Sequence, residues 1–308
     1  MPLFDNQPIS VLAPMQDVTD ADFMSVIAEC GAPDFFIAEY FRVHEFSTLE
    51  KNVLRTVLSR PNEIAVSAQF IGEDEFHIAR SINLLKKYPQ IEYLDLNIGC
   101  PAPKVYRKNV GGGLLKEPKK IRSILNVMRE NWDKSLSVKM RLGFESQDHL
   151  EEIIGILNES GINFATIHGR TVKQLYRGKV DYGAIKKAAS LCNVPIIANG
   201  DLTTAKKALQ VAEFTGAKGV MIGRHAIRNP WIFRQIKELK RGEKMFEPTL
   251  LDVYEYVEKI RNKIIMKNPQ IRYADLMECC KKHLLENPSK PFASEPYPNL
   301  CPRPNHEL

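Results

Sequence analysis

The chain has 308 residues, of which 44% are hydrophobic and 26% charged. These values are typical of a soluble globular protein, and the length suits a barrel of about 250 residues with a small second domain. The net charge is +6, from 43 basic and 37 acidic residues, a mild excess that does not by itself require a polyanionic partner. Since no apolar run approaches the roughly 20 residues that span a bilayer and no secretory signal is recognisable, we expect a cytoplasmic protein without a membrane segment.

Six cysteines occur without a C-x-x-C pair and without the spacing of a zinc site. We interpret them as reduced thiols in the cytoplasm and expect no metal site. They are Cys30, Cys100, Cys192, Cys279, Cys280 and Cys301. A chemical role for any of them must therefore be argued from its neighbours.

Short apolar runs recur along the first three-quarters of the chain and predict β-strands. Several are nearly continuous in apolar residues, which is typical of parallel strands covered on both faces. The eight runs are residues 11–15, 35–41, 64–72, 93–101, 135–143, 164–171, 194–201 and 218–226. Segments with helical periodicity, such as 74–87 and 119–129, lie between them, and we expect N-caps at Thr203-Thr204 and at Ser146.

Eight alternations of strand and helix predict a parallel sheet, and closure into a barrel removes both of its exposed edges. The alternative is an open, doubly wound sheet. That fold loses its main support because Ala13-Pro14-Met15-Gln16-Asp17 follows the first strand, where a G-x-G-x-x-G nucleotide fingerprint would stand. We therefore predict an α/β fold, the TIM (β/α)8 barrel.

A change in composition predicts a domain boundary between residues 236 and 237. The segment 237–244 is strongly charged and is followed by Pro248, after which 250–266 and 273–285 have the pattern of amphipathic helices. Five prolines after residue 290 are incompatible with regular helix in the tail. We predict a catalytic barrel over 1–236 and a small helical domain over 237–308.

In such barrels the catalytic groups lie at the carboxyl ends of the strands and in the loops that follow. Two of these ends, Asn199-Gly200-Asp201 and Gly223-Arg224, follow strands seven and eight, where barrels often bind phosphate. Glycine permits close approach of the backbone to an anion, and arginine can make a bidentate contact. Turn glycines with a surface arginine are the alternative, but both loops together favour a phosphate site.

Three further residues at strand ends are candidates for chemistry. Lys139 and His168 face the same mouth, where a cation could stabilise an anionic cofactor. Cys100 ends the fourth strand between a glycine and a proline. Because thiols ordinarily titrate near pH 8.5, a cysteine here can donate a proton at neutral pH.

A basic segment follows Cys100 along the chain. Residues 104–120 contain six basic residues and one acidic residue, a local charge of +5. A solvated surface is the common meaning of such a run. Its place beside the predicted mouth favours contacts with phosphates instead.

The chain resembles the tRNA-dihydrouridine synthase family from Val11 to about Phe233. The resemblance rests on separated motifs that occur in order. They are Ala13-Pro14-Met15, Asp95-Leu96-Asn97-Ile98-Gly99-Cys100-Pro101, Gly111-Gly112-Gly113-Leu114-Leu115, Val138-Lys139-Met140-Arg141, Ile167-His168-Gly169-Arg170-Thr171, Asn199-Gly200-Asp201 and Met221-Ile222-Gly223-Arg224. Seven motifs in order are far more specific than any one of them.

This resemblance implies an FMN-dependent oxidoreductase that reduces specific uridines in tRNA. NADPH would reduce the flavin, N5 would give a hydride to C6 of the uracil, and Cys100 would protonate C5. The flavin ring would contact Pro14, Met15, Gln69, Lys139 and His168, and its phosphate would contact Asn199, Gly200, Asp201, Gly223 and Arg224. Asn97, Arg170 and Lys104 would bind the substrate. We expect a monomer.

Gly111-Gly112-Gly113 departs from the family pattern, which has a larger small residue among the glycines, and we expect a looser loop there. Two alternatives stay open at this point. One is another FMN barrel that acts on a free pyrimidine, as a dihydroorotate-type dehydrogenase does. The other is a tRNA-binding protein that has lost catalysis.

Overall fold

The computed structural model describes residues 2–5 and 8–267. Eight parallel strands follow one another around a closed barrel, in which the last strand pairs with the first. The strands are β1 Ile9–Leu12, β2 Phe35–Arg42, β3 Val66–Ile71, β4 Tyr93–Ile98, β5 Ser135–Arg141, β6 Phe164–His168, β7 Ile196–Asn199 and β8 Gly219–Ile222. The predicted TIM barrel is confirmed, and an open sheet is excluded.

Each predicted apolar run overlaps one of these strands, and seven of the eight runs continue past the end of their strand. Parallel strands in a barrel are covered by helices outside and by side chains inside, so apolar residues continue into the loops that leave them. The polar residues at the ends of the runs therefore lie on the rim of the barrel, at and just beyond the strand ends.

The helices lie along the chain between and after the strands. They are α1 Ala21–Gly31, α2 Lys51–Ser59, α3 Glu75–Leu85, α4 Pro103–Tyr106, α5 Pro118–Asn131, α6 Leu150–Glu159, α7 Tyr182–Leu191, α8 Ala205–Thr215, α9 Arg224–Arg228, α10 Ile232–Lys240 and α11 Leu250–Lys267. Thr204 caps α8 by accepting the Lys207 N–H, as predicted. The predicted cap at Ser146 is wrong: its hydroxyl bonds Asp148, and α6 begins four residues later.

The amino-terminal end of the barrel is filled by aromatic side chains. Phe4, in a short turn of 3-10 helix before β1, packs edge to face on Phe164 with ring centroids 5.7 Å apart. Phe164 in turn packs on Phe35 at 6.0 Å. This end is therefore closed by core packing, and the carboxyl ends of the strands form the mouth.

The chain forms two compact units, Met1–Phe246 and Glu247–Leu308. Helix α10 runs across residues 236 and 237 and belongs to the first unit, because Ile232, Phe233 and Ile236 are buried. In the second unit α11 covers the predicted helix at 250–266. The predicted helix at 273–285, the proline-rich tail and Cys279, Cys280 and Cys301 lie outside the described residues. Among the described helices, none has the length and apolar character that crossing a membrane requires.

Candidate active site

Neighbouring strands bring several predicted site residues into register at the carboxyl end of the barrel. Asn97 of β4 pairs with Lys139 of β5. Arg141 pairs with His168 of β6, which pairs in turn with Asn199 of β7. Side chains from four consecutive strands therefore surround one opening, as their positions in the sequence predicted.

The turn that carries Cys100 is held by the side chain of Asn97. The Asn97 Oδ1 accepts hydrogen bonds from the backbone N–H groups of Gly99, at 3.0 Å, and of Cys100, at 2.9 Å. These bonds fix the backbone just beyond β4, where no strand partner is available. Cys100 itself is half-buried.

The glycine run closes over this turn from the other side. The Gly112 N–H donates to the carbonyl of Cys100 at 3.1 Å. A Cβ on Gly112 would lie 2.5 Å from Val172 Cγ2 and 2.7 Å from the Cys100 carbonyl oxygen, and one on Gly113 would lie 2.6 Å from the Tyr106 carbonyl oxygen. The expectation of a loose loop is wrong, because all three glycines are buried in a tight turn of 3-10 helix, Gly111–Lys116.

A buried carboxylate lies behind Asn97. Asp95 accepts hydrogen bonds from Gln69 Nε2 at 2.7 Å and from Ser137 Oγ at 2.6 Å. The Gln69 Oε1 then accepts from Asn97 Nδ2 at 2.9 Å. Burial raises the pKa of Asp95 to about 6, against these hydrogen bonds and the charge of Lys139, which lower it. Polar groups this deep are stable only when paired, so the four side chains act as one network.

Tyr40 is a site residue that sequence reasoning missed. It lies near the end of β2 in register with Gln69, and its hydroxyl donates to Gln16 Oε1 at 3.0 Å. Burial raises the pKa of Tyr40 well above its ordinary value, and the interaction with the Cys100 thiol raises it further. The tyrosine is thus the near neighbour of the cysteine on the β2 side of the mouth. A tyrosine in an apolar strand has the pattern of a core residue, so no feature of the sequence distinguished it.

Arg141 connects three loops of the rim. It donates to the carbonyls of Gly99, Thr171 and Leu175 at 3.1, 2.8 and 2.7 Å. The guanidinium is buried, and desolvation lowers the pKa of Arg141 to about 10. Within the described residues no carboxylate pairs with it, so the site carries a buried positive charge. Its position two residues after Lys139 was the available signal.

Two further basic side chains respond to this charge. Burial and, less strongly, the charge of Arg141 lower the pKa of Lys139 to about 8. Burial and then Arg141 and Lys139 also hold the pKa of His168 well below 6.5, so the ring is neutral at pH 7. The Nδ1 of His168 is buried without a hydrogen-bond partner.

The loops after β6, β7 and β8 meet at Asp201. Both terminal nitrogens of Arg170 contact its carboxylate, and Arg224 Nη2 lies 3.7 Å from its Oδ1. Arg170 also donates to the carbonyls of Arg177 and Gly178. This buried arginine therefore positions the loop at 171–178, while Arg224 is the more exposed cation.

The remaining predicted contacts lie nearby. The Asn199 side chain donates to the Met221 carbonyl at 2.7 Å and so ties β7 to β8. Gly200 adopts φ +121, a conformation that glycine accepts without strain. A Cβ on Gly223 would lie 3.7 Å from Met15 Sδ, which places the loops after β1 and β8 side by side. Pro14, next to Met15, is half-buried at the same edge.

The basic segment after Cys100 is divided between two environments. Lys104 is exposed on α4, whereas Lys120 pairs with Glu75 at 2.8 Å on the outer helices. Lys116 donates to Asn109 at 2.6 Å and remains on the rim. Within the part of the chain that the structure describes, no cluster of ligands suited to a metal ion occurs.

Comparison with known proteins identifies the family. The model of the family described as "Dihydrouridine synthase (Dus)" matches residues 11–295. The chain belongs to the dihydrouridine synthase family. This membership confirms the family and the oxidoreductase class predicted from the seven motifs.

Individual members of the dihydrouridine synthase family are similar over most of their length. A "Probable tRNA-dihydrouridine synthase" of Helicobacter pylori strain J99 is 36% identical over 236 residues, which are 76% of this chain and 71% of the relative. The "tRNA-dihydrouridine synthase B" of Pasteurella multocida is 35% identical over 78% of this chain and 72% of its own length. The protein of the same name from Escherichia coli K12 is 34% identical over 76% and 73%.

Solved structures show the fold alone. A morphinone reductase variant in complex with tetrahydroNAD superposes with a TM-score of 0.54 at 10% identity, over 79% of this chain and 89% of that one. Histamine dehydrogenase from Rhizobium sp. 4-9 gives 0.58 at 11% identity, over 77% and 48%. Proteins with other names therefore share the barrel fold of this dihydrouridine synthase family member.

Proposed function

We propose that this protein is a tRNA-dihydrouridine synthase, which reduces the C5=C6 bond of specific uridines in tRNA with FMN as cofactor and NADPH as reductant. Support comes from the family match over residues 11–295 and from relatives that carry this name. The observation that carries the proposal is the Cys100 turn, fixed by Asn97 at a mouth that also holds Lys139.

The residues at the mouth fit an anionic cofactor such as FMN. Lys139 and Arg141 bring positive charge to a partly buried site, and charges there are stable only when an anion is near. The unpartnered Nδ1 of His168 offers a further polar contact. FMN supplies hydride transfer when it is bound, and the protein's part is to bind and orient it. In this proposal Lys139, His168 and Gln69 hold the ring together with Pro14 and Met15, and Gly200, Gly223 and Arg224 with Asn199 hold the phosphate.

The hydrogen bonds of Asn97 fix what it can offer a substrate. Its Oδ1 already accepts from Gly99 and Cys100, and one Nδ2 hydrogen is donated to Gln69. The second Nδ2 hydrogen is left to donate into the mouth. In this proposal the bond goes to the uracil O4, the position at which cytosine carries an amine that donates instead of accepting, so this side chain favours uridine.

Cys100 is the proposed acid. Its thiol gives a proton to C5 of the uracil, and the thiolate that remains lies beside the Tyr40 hydroxyl and near cationic Lys139 and Arg141. These groups stabilise the negative charge that proton transfer leaves on sulfur. Arg170 contributes by holding the loop that covers this edge of the mouth.

A uridine in folded tRNA must leave its stack to reach the mouth. We assign Lys104 to the tRNA phosphates and the region 237–308 to orienting the tRNA. We expect the protein to act on tRNA in the cytoplasm, as a monomer.

The proposal is tested by incubating the FMN-loaded protein with NADPH and an unmodified tRNA transcript, followed by mass spectrometry of the nucleosides. Dihydrouridine in the tRNA is the expected product. Turnover of free uracil or orotate without turnover of tRNA would instead indicate a free-pyrimidine enzyme. A protein that binds tRNA but retains no FMN and forms no dihydrouridine would be a binding protein.

A further inference from the structure

Three aromatic side chains stand on consecutive loops of the rim. Tyr106 ends α4 after β4, Phe144 follows β5, and Tyr176 lies in the loop after β6. The rings of Tyr106 and Phe144 pack edge to face with centroids 5.4 Å apart. Tyr176 is 48% exposed. The chemistry assigned to the mouth uses none of these rings.

Cations lie over each ring. Lys116 Nζ is 5.1 Å from the Phe144 centroid, and Lys173 Nζ is 5.5 Å from Phe144 and 5.8 Å from Tyr106. The guanidinium of Arg224 is 4.5 Å from the Tyr176 centroid. Lys173 forms an ion pair with the exposed Glu145 at 3.3 Å. The ammonium groups of these lysines lie on long, flexible side chains. They can move from an aromatic ring to a nearby phosphate at small cost in free energy, because they are solvated in both places.

Backbone hydrogen bonds connect the loops that carry these groups. The Lys173 N–H donates to the Phe144 carbonyl at 3.0 Å, and the Val172 N–H donates to the Gly143 carbonyl at 2.9 Å. Leu175, next to Tyr176, adopts φ +53, and Arg141 donates to its carbonyl at 2.7 Å. The aromatic rings therefore stand on a surface whose backbone is fixed before any ligand arrives, which reduces the entropy cost of binding.

This surface begins beside the acid. Lys116 ends the 3-10 turn Gly111–Lys116, whose Gly112 N–H donates to the carbonyl of Cys100. A nucleotide whose base enters the mouth above Cys100 must carry its chain neighbours across the adjacent rim. Those neighbours lose their stacking partners when the target base is extruded.

We propose that Tyr106, Lys116, Phe144, Lys173 and Tyr176, here called the rim strip, bind the unpaired nucleotides that flank the target uridine. Bases stack on the aromatic rings, and the two lysines contact the phosphates between them. Aromatic rings alternating with cations are the usual means of holding single-stranded nucleic acid, and they are tolerant of sequence because every base has a π-face. The inference rests on the proposed function and specifies which part of the RNA the rim strip binds.

The lysines are tested by the salt dependence of binding. We expect Lys116→Glu and Lys173→Glu in the FMN-loaded protein each to weaken binding of an unmodified tRNA transcript about tenfold, and to reduce the slope of log affinity against log salt by about 1. Lys186→Glu is the matched control, since Lys186 Nζ lies 4.9 Å from the Phe214 centroid on the outer helices α7 and α8. The control should leave the slope unchanged.

The rings are tested by removal and rescue. Tyr176→Ala should weaken tRNA binding at least fivefold, a loss within the range for one stacked base, and Tyr176→Phe should restore it because the ring returns. Phe144→Ala should behave like Tyr176→Ala. The flavin absorbance per mole of protein, measured for every variant, verifies that each one is folded and loaded.

Wild-type affinity and salt slope in both lysine variants would overturn the inference, as would equal losses in Tyr176→Phe and Tyr176→Ala. The two proposals can fail separately. An active wild-type enzyme whose rim-strip variants bind tRNA normally refutes the rim strip alone. Rim-strip variants that lose tRNA binding in a protein that never forms dihydrouridine refute the proposed reaction alone.

Discussion

Gln69 donates a 2.7 Å hydrogen bond to Asp95, and both side chains are completely buried in the barrel wall. Since the carboxylate accepts from Gln69 Nε2, the Gln69 Oε1 must face Asn97 and accept from it. Asn97 is thereby oriented with its oxygen toward the Cys100 turn. The buried Asp95 carboxylate thus fixes the orientation of Gln69 and of Asn97, and these two side chains connect it by hydrogen bonds to the Cys100 turn.

The first prediction concerns the pH dependence of uridine reduction. Burial raises the pKa of Asp95 to about 6, and protonation turns one of its two accepting oxygens into an O–H donor, so the hydrogen bond with Gln69 or with Ser137 must weaken or reverse. We expect oxidation of the pre-reduced enzyme by tRNA to slow as the pH falls through 6. Asp95→Asn, which is uncharged at every pH, should retain at pH 7.5 the slower rate that the wild type shows below pH 6. Stopped-flow absorbance measures both, and a flat wild-type profile from pH 7.5 to 5 would contradict the prediction.

The second prediction concerns stability. The folded-state pKa of Asp95 lies above the ordinary value of 3.8, so its contribution to stability is largest below pH 4 and is lost as the pH rises through 6. Asp95→Asn removes the ionisable group, so the variant does not lose this stability as the pH rises. We expect the variant to be more stable than wild type at pH 7.5, by on the order of 1–3 kcal/mol, with the gap closing toward pH 4. Urea unfolding at both pH values tests this prediction. A difference in unfolding free energy between variant and wild type that widens toward pH 4 would contradict it.

The third prediction concerns the acid. Cys100→Ala should retain FMN, because the sulfur is not among the groups assigned to hold it. Loss of a positioned proton donor should slow uridine reduction about 10²–10⁴-fold. Stopped-flow mixing of the pre-reduced variant with tRNA measures the rate, and reduction by NADPH serves as the internal control. A wild-type rate with tRNA would remove Cys100 from the mechanism.

The fourth prediction concerns Tyr40. Tyr40→Phe keeps the ring and its packing but removes the hydroxyl that lies beside the sulfur. We expect uridine reduction to slow about threefold to tenfold, the range for one hydrogen bond, while FMN affinity stays unchanged. Tyr93→Phe, on a ring that packs on Phe35 at the opposite end of the barrel, is the matched control. Equal rates in the two variants would show that the Tyr40 hydroxyl has no part in proton transfer.

The fifth prediction concerns flavin retention. Lys139→Ala should weaken FMN binding, since it removes a cation from a partly buried site. Because burial lowers the pKa of Lys139 to about 8, FMN affinity in the wild type should also fall as the pH rises through 8, and this step should be absent in the variant. Flavin fluorescence titration measures both. The prediction fails if Lys139→Ala binds FMN as tightly as wild type at pH 7.

The barrel was predictable because parallel strands that are covered on both faces produce nearly continuous apolar runs in the sequence. Continuous apolar runs such as that around Phe36 have few alternatives to buried strands in a chain with eight such runs. Strand ends were less predictable, because the run through Gly99 and Cys100 remains apolar after the ladder stops. The cap at Ser146 failed for a local reason: its hydroxyl has a nearer partner in Asp148.

The candidate site was predictable where polar residues interrupt apolar runs, as Lys139 and His168 do. The roles of Arg170 and Tyr40 were not, because they depend on partners distant in sequence. Arginine is a residue type that often contacts anionic ligands, yet the N–H donors of Arg170 are engaged by Asp201 and by loop carbonyls. The close packing of Gly112 against Val172 likewise follows from two loops that meet only in the folded barrel.

The central claim is that Cys100 and a bound flavin act together on uridine in tRNA. Single-turnover reaction of the NADPH-reduced, FMN-loaded protein with an unmodified tRNA transcript, followed by mapping of the product nucleosides, tests it most directly. The account predicts flavin oxidation together with dihydrouridine at defined tRNA positions, and neither with Cys100→Ala on the same timescale. Flavin oxidation by tRNA without dihydrouridine, or equal product from the alanine variant, would contradict it.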